Sequence, residues 1–168
     1  MASDASDNHI AICPGTYDPI TYGHLDVIGR ASAMFDKVIV GIANMPFRKG
    51  KTMFTAEERA AFIRNATSEL GNVVVEPFSI LVVDFARQHG ARAIVKGLRA
   101  ISDFEYEMEM NQLNRMQAPE VESVYLMSSP EYSFVSSSGV KELATYGGSI
   151  DEMVPAEVAA ALKERLGR

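Results

Sequence analysis

One stretch decides the fold: Cys13-Pro14-Gly15-Thr16-Tyr17-Asp18-Pro19-Ile20-Thr21-Tyr22-Gly23-His24. The apolar run Ile10-Ala11-Ile12-Cys13 leads into it, and an amphipathic run over residues 25–35 leads out. That order predicts strand, glycine-containing loop, helix. In α/β proteins such a junction binds phosphates, because a helix N-terminus offers unpaired N–H groups and a partial positive charge. Pro14 and Pro19 stiffen the loop, while Gly15 and Gly23 permit a positive φ or a close backbone approach. Thr16 and His24 are the polar side chains placed to meet a ligand. The bland alternative is a helix-capping loop carrying an incidental histidine.

Working outward, residues 9–13 read as the first strand and 23–35 as the first helix. Residues 37–43 are almost continuously apolar, which fits a strand covered on both faces, as in a parallel sheet. Residues 44–52 are polar and basic, with Pro46 and Gly50, so they form a loop. Thr55-Ala56-Glu57-Glu58 is a capping box opening a helix that runs to Leu70. A third strand over 73–76 is expected to stop at Pro77, and a helix over 81–89 at Gly90. The fourth strand spans 93–96, with a turn at Gly97-Leu98-Arg99. Ser102-Asp103-Phe104-Glu105 reads as a second capping box, opening a helix to Met116. A fifth strand over 123–127, a serine-rich loop over 128–138, a short helix to Tyr146 and a last helix beginning at Pro155 complete the chain.

Five short apolar strands alternating with helices, without repeat or linker, predict a single doubly wound five-stranded parallel sheet of the α/β class. One domain over residues 9–168 is expected, behind a polar, acidic tail over residues 1–8 read as disordered. Right-handed crossovers put every strand C-terminus on one edge. The unusual loops after strands one, four and five should therefore converge there.

A length of 168 residues fits one domain able to bury most of its apolar surface. With 47% hydrophobic and 23% charged residues, composition offers no case for disorder of the whole. The net charge of −6 argues against nucleic-acid and anionic-membrane partners, so a phosphate site must be a local cluster of cations. Cys13 is the only cysteine, so no internal disulfide can form and zinc finds no cysteine cluster. No apolar run is long enough to span a membrane, and the polar start is unlike a signal peptide. A cytoplasmic protein is the expectation.

Two further constellations carry chemistry. Lys96-Gly97-Leu98-Arg99 flanks a glycine with two cations at a strand end, and Glu107 lies on the following helix. Lysine supplies a point charge and arginine a fork, both suited to phosphate oxygens. Glu107 could accept from ribose hydroxyls or contact a cation, or simply pair with Arg99 or Arg115. Glu131-Tyr132-Ser133-Phe134-Val135-Ser136-Ser137-Ser138-Gly139 precedes a helix. Its serines either cap that helix or, with the free N–H groups, cradle a polyphosphate, with Lys141 one turn on.

Thr21-Tyr22-Gly23-His24, with Gly15-Thr16 upstream, resembles the T-x-G-H nucleotidyltransferase motif. Together the stretches 14–24, 96–107 and 132–138 resemble bacterial phosphopantetheine adenylyltransferases, over about Ile10 to Leu166. The resemblance implies a Rossmann-like nucleotidyltransferase fold. It implies that ATP and 4′-phosphopantetheine give dephospho-coenzyme A and pyrophosphate, with magnesium, in a cytoplasmic homohexamer. By the same resemblance Thr16 touches both substrates, Tyr17 the ATP, and His24 the ATP phosphates in the transition state. Lys96 holds the acceptor phosphate, and with His24 and Thr16 makes up the catalytic set. Gly97, Leu98, Arg99, Glu107, Tyr132, Ser133, Phe134, Val135, Ser136, Ser137 and Ser138 line the ATP site. Val82 matches a backbone contact to the pantetheine arm.

Two departures stand out. Lys96 stands where some family members have arginine. The loop over residues 46–53 is about two residues longer than usual, so the acceptor-binding lysine is Lys49 or Lys51, with Arg48 an outside choice. Other readings are a neighbouring nucleotidyltransferase acting on nicotinate mononucleotide or glycerol phosphate, and a non-catalytic nucleotide-binding module. The apolar approach over residues 78–83 favours pantetheine. A mere binder would not need Thr16, His24 and Lys96 together.

Overall fold

A strand buried on both faces must be apolar at every position, and the central strands meet that demand. The computed structural model describes residues 9–44 and 50–167. The tail over residues 1–8 and the loop residues 45–49, with Arg48 and Lys49, lie outside the described residues. The strands are β1 (Ile10–Gly15), β2 (Lys37–Ala43), β3 (Val73–Phe78), β4 (Ala93–Leu98) and β5 (Glu122–Met127). They pair in parallel in the order β3-β2-β1-β4-β5. The helices are α1 (Tyr22–Met34), α2 (Ala56–Ala66), α3 (Val82–Gln88), α4 (Ile101–Gln117), α5 (Ser137–Thr145) and α6 (Ala156–Arg165).

Alternation along β1 and β2 divides two cores. Ala11, Cys13, Val38, Val40 and Ile42 face the helices α1, α2, α5 and α6, through Ile28, Ile63, Val140 and Leu162. Ile12, Ile39 and Ile94 face the other way, onto Val83, Phe85 and Ala86 of α3. The doubly wound parallel sheet expected from the sequence is therefore present. Burial pushes the Cys13 thiol up to about 12, the behaviour of an inert apolar filler.

Several boundaries differ from the sequence reading. Pro77 does not stop the third strand: β3 continues through it to Phe78, opposite Ile42 and Ala43. β3 is an edge strand, where a missing N–H is tolerated. α2 ends at Ala66 rather than Leu70, because Thr67 caps it, with its N–H and its hydroxyl both donating to the Ile63 carbonyl, at 2.9 and 2.7 Å. Gly97 and Leu98 belong to β4 instead of a turn, paired with Leu126 and Met127. Glycine is needed there, since a Cβ on residue 97 would stand 2.8 Å from Val27 Cγ2 of α1. The second capping box does not form. Ala100 is the N-cap of α4, no side chain caps it, and Ser102 is already inside the helix. Asp103 instead accepts from the Arg99 N–H at 3.3 Å.

The strand order reverses direction at β1, whose neighbours are β2 and β4. Ligands of open parallel sheets bind where such a reversal leaves a crevice at the strand C-termini. Here that crevice lies between Gly15 of β1 and Leu98 of β4.

Candidate active site

The first loop is tied down by its own side chains. Thr21 is the N-cap of α1 and accepts from His24 N–H at 3.3 Å. His24 occupies the third helical position, where glutamate or glutamine normally completes a capping box. Its Nδ1 accepts from the Thr21 N–H at 3.1 Å. A neutral imidazole with Nδ1 accepting carries its proton on Nε2, an assignment made from the hydrogen bonds. The histidine is thus both a capping residue and a donor positioned at a helix start.

The chain turns through Tyr17 at a φ of 51°, so the positive φ falls on Tyr17 and on neither Gly15 nor Gly23. Gly15 is required for another reason: a Cβ there would meet the Tyr17 ring at 2.8 Å. That ring is buried, and its hydroxyl donates to the Cys13 carbonyl at 2.9 Å. Burial, with some help from Cys13, pushes the phenol above its ordinary range. Tyr17 therefore presents its main chain, and not its hydroxyl, to any ligand.

Beneath the loop sits a buried polar group that the sequence reading missed. Asp18 is buried and accepts from the N–H groups of Met53 and Phe54, each at 2.9 Å, and from Lys141 Nζ at 2.9 Å. Burial acts to raise its carboxyl, but Lys141 and the two amides outweigh that and hold it below the usual carboxylate range. Arg59 is only 1% exposed. It donates to the carbonyls of Thr16 at 2.6 Å, Ala43 at 3.0 Å and Phe54 at 3.2 Å. Burial lowers its guanidinium pKa, while the Asp18 charge works the other way. A signal was present: Arg59-Ala60-Ala61-Phe62-Ile63 places a cation on the apolar stripe of its helix, beside Phe62 and Ile63.

At the end of β4, Lys96 Nζ pairs with Glu107 at 2.8 Å, both side chains mostly buried. Glu107 thus takes Lys96 as partner, and neither Arg99 nor Arg115. Arg99 pairs with Asp103 at 3.1 Å and donates to the Val135 carbonyl at 3.0 Å. The second bond joins the β4 loop to the serine-rich loop. Ser137 Oγ donates to the Pro19 carbonyl at 2.8 Å, joining that loop to the first. Ser129 Oγ donates to Asp26 of α1 at 2.8 Å. The three loops expected to converge do converge.

Within the third constellation the roles divide. Ser136 caps α5 by accepting from the Gly139 N–H at 3.0 Å, so its hydroxyl is committed. The Ser133 hydroxyl donates to the Pro130 carbonyl, Val135 is buried, and Tyr132 lies beside the Tyr22 ring. Ser138 is exposed, and Phe134 is 71% exposed. The first-turn N–H groups of Ser137 and Ser138 have no intrahelical acceptor, as at any helix start. On the acceptor side, Lys51 is exposed. Val82 opens α3 and packs into the second core, which leaves its backbone for a ligand.

Two shallow surface hollows lie away from this crevice. One is lined by Arg64, Thr67, Leu70 and Val75, the other by Ala144, Gly147, Ile150 and Lys163. Neither gathers cations with a helix start, so the converging loops, and not concavity, mark the site. Among the described residues, no three histidine, cysteine, aspartate or glutamate side chains cluster as a metal site. No helix among them is long and apolar enough to cross a membrane.

A five-stranded parallel sheet with a histidine-bearing helix start at its crevice defines an α/β nucleotidyltransferase fold. The chain belongs to the cytidylyltransferase-like family, whose model matches residues 12–143. It is also similar to a protein named phosphopantetheine adenylyltransferase from Moorella thermoacetica. Identity is 49% over 158 residues, covering 94% of this chain and 98% of that relative.

Proposed function

We propose that this chain transfers the adenylyl group of ATP to 4′-phosphopantetheine, giving dephospho-coenzyme A and pyrophosphate, a late step of coenzyme A biosynthesis. The observation that carries this reading is the likeness, over nearly the whole chain, to a relative of that printed name. The site geometry supports it. The acceptor is a phosphate monoester whose second pKa is about 6, so near neutral pH it is already largely dianionic. It needs no general base. It needs alignment with the α-phosphorus and cations to offset repulsion between two anions.

The chain supplies these in named places. His24, with Nε2 as donor, serves the ATP phosphates at the start of α1. The backbone of Tyr17, Arg99 and the start of α5 at Ser137 and Ser138 complete the ATP side. Gly97, Leu98, Glu107, Tyr132, Ser133, Phe134, Val135 and Ser136 line it. Thr16 stands between both substrates. Lys96 holds the acceptor phosphate, and Glu107 fixes its position beforehand. Ile80 and Leu81, 45% and 58% exposed in the connection from β3 to α3, suit an apolar pantetheine arm beside Val82. Lys51 is the described candidate for closing on the acceptor.

We further propose that magnesium comes with ATP, held by phosphate oxygens and not by a protein cage. When bound it supplies charge neutralisation on those oxygens. Asp18 is fully engaged by Lys141 and two amides, and Glu107 by Lys96, so neither carboxylate is poised for a resident ion. A homohexamer in the cytoplasm is the assembly we propose, with the uncovered apolar face of α4 packing against a second copy of this chain. Release of pyrophosphate from ATP, assayed separately with phosphopantetheine, nicotinate mononucleotide and glycerol phosphate, tests the reading. Turnover with phosphopantetheine alone is expected. Turnover with another acceptor alone, or ATP binding with none, overturns it.

A further inference from the structure

We infer that Asp18, Arg59 and Lys141 form a positioning unit that sets the spacing between the acceptor half and the ATP half of the site; this rests on the adenylyl-transfer reading above. The three side chains bind segments on both sides of the site. Arg59 fixes the carbonyls of Thr16 and Ala43, the first just past the end of β1 and the second the last residue of β2. Asp18 fixes the N–H groups of Met53 and Phe54, where the acceptor-side loop rejoins α2. Lys141 ties the same carboxylate to α5, whose first turn lies on the ATP side. One carboxylate therefore spans both halves.

Burying these charges is a poor way to gain stability. Replacing buried ion pairs by packed apolar side chains is often neutral or stabilising. What charges add is direction: five of these bonds fix a particular main-chain carbonyl or amide at 2.6–3.2 Å, and the sixth joins Lys141 to Asp18 at 2.9 Å. Direction is what this reaction demands. An oxygen of the acceptor phosphate forms a bond to the α-phosphorus while the bond from that phosphorus to the bridging oxygen breaks. Pyrophosphate leaves with the electron pair. The two oxygens must lie in line, and a misplacement of about 1 Å costs on the order of 10²-fold. Asp18, Arg59 and Lys141 spend their polar atoms on the chain itself, so they act through Thr16, the acceptor loop and α5.

The test uses Lys141→Met, Asp18→Asn, the double variant and Lys141→Arg in the full chain, with circular dichroism confirming that each is folded at the assay temperature. Pyrophosphate release gives kcat and KM for both substrates. Lys141→Met and Asp18→Asn are each expected to lose at least about tenfold in kcat with both KM values within about threefold, since geometry and not binding is impaired. The double variant should lose no more than the worse single one, because the two groups act as one unit. Lys141→Arg should recover most of the kcat. A rise in KM for ATP with kcat intact would make Lys141 a direct phosphate ligand and overturn the inference. Unchanged kcat, or additive losses, would make the group packing only and overturn it as well. Wild-type protein without turnover would sink the adenylyl-transfer reading, and this inference with it, whereas wild-type turnover with unaffected variants sinks the inference alone.

Discussion

Two helices follow the two strands that flank the crevice, and they face opposite ways. α1, after β1, turns Val27, Ile28 and Ala31 into the core. α4, after β4, turns Asp103, Glu107, Met110, Asn111 and Asn114 toward the body of the protein, where they are half-buried. Ile101, Phe104 and Met108, spaced three and four apart on one stripe, point outward at 81%, 50% and 51% exposure. None of the described residues of α4 counts as buried, and Asn111 Oδ1, one turn past Glu107, is buried without a partner among the described residues. The contrast is between a helix that buries its apolar face and one that does not. α1 is finished by its own core and cap. α4 spends its inner face on carboxylates that hold Lys96 and Arg99 at the strand end, and leaves its apolar face uncovered.

The α1 side of this comparison is broken most sharply at His24. His24→Ala should lose about 10²–10³ in kcat, the typical cost of one preorganised donor to developing charge. It should also lose about 1 kcal/mol of stability in urea unfolding, because the Thr21 N–H loses its acceptor. His24→Gln separates the two roles. Glutamine is an ordinary third-position capping residue, so stability should return while the rate does not. If His24→Gln recovers the rate, the imidazole has no catalytic part and only the cap matters.

On the α4 side, Glu107 already pairs with Lys96, so under the proposed reaction a second cation is expected at the acceptor phosphate. Lys51→Ala should cost roughly 1.5–3 kcal/mol in kcat/KM for phosphopantetheine, the worth of a charged hydrogen bond. Lys49→Ala, measured at the same salt, should change it by less than about 0.5 kcal/mol. If both keep wild-type efficiency, Thr16 and Lys96 hold the acceptor without the loop.

The buried aspartate under α1 gives a smaller, pH-dependent effect. The Asp18 carboxyl is held below its ordinary value of 3.8, so its contribution to stability is present above that pH and is lost as pH falls through the lower folded value. The unfolding free energies of wild type and Asp18→Asn should therefore differ by a constant amount above about pH 5 and converge below pH 4. A difference independent of pH down to acid unfolding would show that Asp18 is not charged in the fold.

Much of this was legible in residue order. The continuous apolar runs of β1 and β2 declared a sheet covered on both faces, and the glycine-containing loop before His24 declared the crevice. Strand ends were less legible. Proline reads as a stop unless the strand is known to lie on an edge, and edges are set by topology, as Pro77 shows. Gly97 reads as a turn until α1 is known to press Val27 against it. Arg59 and Lys141 were least legible, because their partners are main-chain groups and Asp18, brought close by folding rather than by sequence spacing. The outward face of α4 was not legible either. Its apolar positions have helical period, and nothing in the period says whether they face inward or outward.

That outward face yields the smallest effect on the single chain and the clearest one on assembly. Phe104→Glu and Met108→Glu replace side chains that are half exposed, so each should change the stability of the isolated chain by less than about 0.5 kcal/mol. If copies of this chain cover the face, a charge in it meets an apolar partner, and burying an unpaired carboxylate is far costlier than exposing it. Sedimentation velocity should then show the wild type as a hexamer and both variants as smaller species at the same concentration. Activity discriminates further. Because Glu107 and Asp103 sit on the inner side of the same helix, loss of the outer cover should loosen Lys96 and raise KM for the acceptor more than for ATP. A wild type that sediments as a monomer, or variants that assemble like it, would mean that α4 is not an interface. The inward carboxylates would then be held by the single chain after all, and the contrast between the two helices would be one of sequence alone.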